Sequence, residues 1–197
     1  MKRFFAVIAT VLACVFLFGC AHPISMSPDV TTVAAASGNK VIDKKVAYYL
    51  PDALRAVEVT TPGGGGDKVR YFPYRDIETG FYKALSEVFG SVNKVPDAKD
   101  TAALKSGGFS FLITPEITTS SSSESAFTWP PTQFSVNLAC SITDPDGKLV
   151  DTVRVSGNGA ATFDEFKTNH SLAATRAASD ALVKLVKALN ESPNLRK

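Results

Sequence analysis

Five apolar residues at every second position, Phe134, Val136, Leu138, Cys140 and Ile142, constrain this chain more than any other stretch. Period-two spacing puts all five side chains on one face of a β-strand, and that face must be buried. Asp144-Pro145-Asp146-Gly147 follows as a turn, with proline pre-setting φ and glycine tolerating positive φ. Residues 149–156 return as the partner strand, with Leu149, Val153 and Val155 on one face. The prediction is a β-hairpin. The acidic pair Asp144 and Asp146 lacks the other spaced ligands and the closing glutamate of a calcium loop, so turn chemistry accounts for it.

Other segments alternate in the same way. In residues 109–117, Phe109, Phe111, Ile113, Pro115 and Ile117 share one face. Pro115 has no N–H for a central ladder, which predicts a bend or an edge there. Residues 45–50 form a β-rich run closed by Pro51, and residues 55–61 place Val57 and Val59 on one side. Pro62 and Gly63 to Gly66 break that strand, and residues 68–72 read as its return. The glycines are not followed by Gly-Lys-Ser/Thr, and Asp67 would oppose an anion, so a hairpin tip fits better than a phosphate loop. A short strand at 91–95 and a short helix at 97–105 complete the middle of the chain.

Two segments change to a helical period. Ile77, Phe81, Leu85, Val88 and Phe89 gather on one face of residues 74–89, with Pro73 at the entrance and Gly90 as the stop. Residues 169–190 repeat the pattern through Leu172, Ala178, Leu182, Leu185, Val186 and Leu189. Asn169 or Ser171 caps that helix, and Pro193 marks its end. The order of elements predicts an α+β fold: a small mixed or antiparallel sheet with two main helices packed on one face.

The N-terminus carries a different signal. Lys2 and Arg3 precede an uncharged run, 4–18, and Gly19 then precedes Cys20. As a helix this run reaches about 22 Å, short of the roughly 30 Å hydrocarbon core, which disfavours a permanent span. An ordinary cleaved signal stays open, although no small-x-small site follows the run. Leu17-Phe18-Gly19-Cys20 resembles the lipobox of bacterial lipoproteins. That resemblance implies cleavage before Cys20 and lipidation of Cys20, with palmitate among its acyl chains. The resulting division is a signal peptide at 1–19, a lipidated cysteine with a flexible tether at 20–42, one periplasmic domain at 43–192 and a tail at 193–197. Ala21 stands where an aspartate would favour inner-membrane retention, so the same class implies the outer membrane, with the domain facing the periplasm.

Maturation simplifies the chemistry. The chain has 21 basic and 19 acidic residues, and loss of Lys2 and Arg3 brings the two into balance. Nucleic-acid binding then lacks electrostatic support. Cys14 leaves with the leader and Cys20 carries lipid, so Cys140 has no partner for a disulfide and reads as a small buried hydrophobe. His22 belongs to the tether, and His170 stands at a helix entrance as a surface or capping residue. No nucleophile with a base, paired carboxylates or metal-ligand spacing emerges. The expectation is a non-catalytic protein with no metal and no cofactor.

One loop offers a contact site. Ser120-Ser121-Ser122-Ser123 leads into Phe127-Thr128-Trp129-Pro130-Pro131. Aromatics at a polar loop tip can touch a partner or lipid headgroups, which nominates Phe127 and Trp129. The alternative is a long hairpin connection whose aromatics fold back on the sheet.

Several short stretches, in this order, resemble the YajG-type family of bacterial outer-membrane lipoproteins. They are Cys20-Ala21 with Pro23, Ser27-Pro28, Pro73-Tyr74-Arg75-Asp76, Asp146-Gly147-Lys148 and the 157–161 run. The resemblance implies a membrane-anchored, non-catalytic envelope protein with an α+β domain. Its partners would be the membrane, through lipid on Cys20, and an envelope protein or glycolipid. A structural subunit of a larger envelope machine and, further off, an envelope hydrolase are the competing functions.

Overall fold

The computed structural model describes residues 21–36, 42–62, 68–123 and 133–197. Cys20, the Gly63 to Gly66 run, Phe127 and Trp129 lie outside them. Among the described residues, eight strands and six helices follow one another as β1 (Ala21–Pro23), α1 (Val30–Ala35), β2 (Ile42–Tyr49), α2 (Asp52–Arg55), β3 (Val59–Pro62), β4 (Lys68–Tyr71), α3 (Pro73–Ser86) and β5 (Phe89–Val95). Then come α4 (Thr101–Ser106), β6 (Phe111–Ser122), β7 (Gln133–Thr143), β8 (Leu149–Ala160), α5 (Phe163–Thr168) and α6 (Leu172–Glu191), with a final 3-10 turn at Pro193–Arg196.

The fold is α+β, as the periodicity predicts. Its main sheet has five strands in the order β5-β2-β6-β7-β8. β2 runs parallel to β5 and β6, while β6, β7 and β8 are antiparallel. The return strand expected at 68–72 is present as β4, antiparallel to β3. The unexpected element is β1, which joins them in a second sheet, β1-β4-β3, because the chain at 21–23 is part of the folded body.

The hairpin that dominates the sequence dominates the core. Phe134, Val136, Leu138, Cys140 and Ile142 are all buried, each apolar side chain gaining roughly 1.5–3 kcal/mol over an exposed position. α6 lies on β7 and β8, and α3 packs beside it against α6, β5 and β6. Both main helices cover one face of the sheet. The other face has a smaller cover: Leu104 of α4 packs with Ala47 and Leu112.

Gly157 and Gly159 let α6 approach β8 at backbone distance. A Cβ on Gly157 would stand 2.2 Å from the Ala177 carbonyl oxygen, and one on Gly159 would stand 2.1 Å from that of Ala173. Ala173, Ala177 and Ala181 recur every fourth residue, so one methyl-lined face of the helix meets the glycine strand.

The flexible tether at 20–42 is corrected for every described residue in it. β1 pairs in parallel with β4, His22 opposite Val69, so His22 belongs to a sheet and not to a linker. Met26 and Val33 are fully buried. Backbone N–H groups of Ser25, Met26 and Asp29 donate to Ser171 Oγ, Asp76 Oδ2 and Ser179 Oγ. Pro28 fills the space above Gly80, where a Cβ would meet its Cγ at 2.2 Å. Two prolines and no helical period had concealed a segment held by partners far along the chain.

Other boundaries move for local reasons. The strand expected at 55–61 splits into α2 and β3, and Val57 is exposed. Leu149 is 59% exposed although it shares the alternation of β8, because the register shifts between Ile142 and Thr143 next to the turn. The helix expected from 169 is preceded by α5, whose capping box joins Thr162 and Glu165. The long helix starts at Leu172, and the Ser171 Oγ accepts the Ser25 N–H instead of capping it. The expected tail at 193–197 buries Leu195.

Candidate functional site

The residues nominated by sequence, Cys20, Phe127 and Trp129, lie outside the described residues, but the chain positions from which they branch do not. Ala21 pairs with Lys68, and Pro62 pairs with Lys68 from the other side. Pro62 O accepts from Ser121 Oγ at 2.8 Å. Next to it, Ser122 pairs with Gln133, and Gln133 pairs with Ala160. One row of strand ends therefore crosses both sheets, from the residue after Cys20 to the two flanks of the 124–132 connection. These branch points share one pole of the molecule.

A chain of hydroxyls fastens the two sheets there. Tyr71 Oη and Thr119 Oγ1 are 2.6 Å apart, as are Thr61 Oγ1 and Ser121 Oγ. Tyr71 is buried, its ring edge-on to Phe134 at 5.1 Å, and burial raises its phenol pKa above the usual value. The apolar alternation over 109–117 stops short of this network, since the strand continues to Ser122. The signal was present: Thr119 and Ser121 continue the inward positions of Phe111, Ile113, Pro115 and Ile117.

Pro73-Tyr74-Arg75-Asp76 holds the same region to the rest of the fold. Beyond Ile113, β6 has no ladder partner on its β2 side. Pro115 has no N–H to leave unpaired there, and the N–H of Ile117 donates to Tyr74 Oη at 3.1 Å. The expected edge at Pro115 is thus a local one within a central strand. Arg75 stacks over Phe72 at 3.8 Å, while Asp76 receives the Met26 N–H.

Beside the pole, the outer face of β6, β7 and β8 carries a groove of about 430 Å³ lined by Ser120, Ser122, Gln133, Ser135 and Asn158. Ser120 and Ser135 hydroxyls meet at 2.7 Å. All five side chains are uncharged hydroxyls or amides, so the groove offers neutral donors and acceptors. A neighbouring hollow of about 330 Å³, further along the same face, adds Glu116 and Arg154.

The remaining reactive groups are engaged elsewhere. Cys140 is fully buried, which pushes its thiol up to about 12 and removes the thiolate a nucleophile requires. His170 packs its ring on Phe166 at 4.6 Å. Glu78 lies between two cations: Arg55 Nε is 2.7 Å and Lys94 Nζ 2.8 Å from its oxygens. Burial and then Glu78 push Tyr48 beside it up to about 12. This cluster ties α2, α3, β2 and β5 together. Among the described residues, no three His, Cys, Asp or Glu side chains gather as metal ligands, and no helix is long and apolar enough to cross a membrane.

No protein-family model and no curated protein matches the chain. Among solved structures, it is similar to a Xanthomonas campestris protein assigned to the family model DUF330, at 9% identity over 88% of this chain and 91% of that one, with a TM-score of 0.46. It is also similar to PelC of Paraburkholderia phytofirmans, crystallised as a dodecamer, at 12% identity over 79% and 94%, with a TM-score of 0.45. A candidate lipoprotein from Caulobacter crescentus shows 10% identity over 82% and 91%, with a TM-score of 0.35.

Proposed function

We propose that this chain is a bacterial envelope lipoprotein, anchored through lipid on Cys20, whose α+β domain serves as a non-catalytic binding or accessory subunit. The observation that carries the reading is the position of β1. The lipobox-like stretch ends at Cys20, and the next residue, Ala21, is paired in β1 with Lys68. The position that the motif assigns to the anchor therefore adjoins the folded domain.

The binding role is supported by an uncharged groove beside the anchor pole, lined by hydroxyls and amides together with Phe134 and Ala160. The outer membrane, a periplasmic domain and the YajG-type assignment rest on Ala21 and the quoted stretches of sequence. The partner class is an envelope protein or glycolipid. In-cell crosslinking of the anchored protein, followed by purification from membranes and mass spectrometry, tests the role with Cys20→Ala as control. A discrete envelope partner captured only with the anchored form supports it. Peptidoglycan or ester hydrolysis by the purified protein, lost in His170→Ala, would overturn the non-catalytic reading.

A further inference from the structure

The absence of a tether in residues 21–36 has a geometric consequence for the anchored protein. Ala21 is held in β1 opposite Lys68, and Ile24 N–H continues the attachment to Arg70 O. One peptide unit, about 3.8 Å between Cα atoms, separates Cys20 from that pairing. A lipid on Cys20 therefore has no spacer through which the domain could stand off or turn over.

The same pole gathers other features suited to a lipid surface. Lys68 is exposed beside Ala21. At the far end of the row, β8 finishes at Ala160, and Phe163 begins α5 three residues later with half its surface in solvent. Lys167 Nζ sits 5.1 Å over the Phe163 ring. Lys167 also pairs with Asp164 at 2.6 Å. An exposed aromatic ring capped by a lysine at one end of the row, and exposed Lys68 at the other, match the boundary between headgroups and acyl chains. The opposite pole carries the 144–148 turn, where Lys105 pairs with Asp146. β7 alone, 11 residues long, separates the poles by roughly 34 Å at ~3.4 Å per residue.

Resting on the lipid-anchor reading, we infer that this pole is a bilayer-docking surface, with Lys68 and Phe163 at headgroup level and the 144–148 turn directed away from the membrane. The orientation is fixed by β1, because the acylated residue adjoins a paired strand.

Site-specific quenching tests it on the full chain, expressed with its leader and reconstituted into phosphatidylcholine–phosphatidylglycerol vesicles containing a headgroup-linked nitroxide lipid. Lys68→Cys, Phe163→Cys and Asp146→Cys each carry a fluorophore; Cys140 is fully buried and does not compete for label. The expected result is quenching about threefold stronger at positions 68 and 163 than at 146, given a docking depth of about 5–10 Å. A flexible Gly-Ser spacer of about ten residues between Cys20 and Ala21, spanning about 17 Å, should erase the contrast while leaving the melting curve unchanged. Equal quenching at both poles in acylated protein overturns the docking inference alone, and a contrast that survives the spacer overturns the assignment of the orientation to β1. A mass without acyl groups on Cys20 overturns the anchor reading, and this inference with it.

Discussion

Gly157 lies so close beneath Ala177 that a methyl group on its α-carbon would stand 2.2 Å from that residue's carbonyl oxygen. The obstacle is helix backbone, which cannot rotate aside. Gly157→Ala should cost about 1–3 kcal/mol, the usual range for overpacking, and Gly159→Ala a similar amount. Gly147 is a contrasting control, with open space around its Cβ position but φ +83. Gly147→Ala should cost about 1–2 kcal/mol through backbone conformation alone, and Gly147→Asn less. Urea unfolding of the three alanine variants and Gly147→Asn checks the pattern.

Met26 separates a folded N-terminal segment from a tether. It is fully buried between elements far along the chain, so Met26→Ala should destabilise the domain by about 2–5 kcal/mol, as large-to-small core changes do. A tether residue would cost almost nothing. Equilibrium denaturation reads the difference, and removal of residues 21–36 should expose the α3–α6 surface and abolish cooperative unfolding.

Tyr71 Oη donates or accepts at 2.6 Å with Thr119 Oγ1 across the two sheets. Tyr71→Phe keeps the ring against Phe134 but deletes the link, at a cost of about 1 kcal/mol. In a chain of this size that lowers Tm by about 2–4 °C. Thr119→Val should not add fully to it, because both changes remove one interaction.

Glu165 predicts an acid-side effect. Arg176, with the Thr162 N–H after it, lowers its carboxyl pKa to about 2. A lowered folded-state pKa means that the pair stabilises the fold above the unfolded value of about 4.3 and stops doing so as pH falls toward the folded one. The native chain should therefore melt above Glu165→Gln at pH 6, and the two curves should converge between about pH 4 and pH 2. Calorimetry over that range reads it.

Sequence was most informative where one residue type repeats at one period. The β7 alternation and the apolar faces of α3 and α6 could be read directly, because a buried face needs apolar side chains at fixed spacing. The N-terminal segment could not. Its attachment runs through single hydrogen bonds to Ser171, Asp76 and Ser179, whose positions carry no pattern near residue 25. The close approach of α6 to β8 needed both Gly157-x-Gly159 and the alanines at 173, 177 and 181, which are meaningful only together. Of the site, the motif at Cys20 was visible, but the alignment of the next residue, Ala21, with Ser122 and Gln133 depends on parallel pairing of a three-residue strand. Local sequence does not specify such a strand.

On the proposed reading the mature protein begins at a lipidated Cys20, the residue before the paired Ala21. Intact mass spectrometry of the chain extracted from membranes, with fragmentation of its N-terminal peptide, tests it most directly. The predicted result is a peptide starting at Cys20 and carrying acyl chains. A peptide starting elsewhere, or an unmodified Cys20, would contradict it.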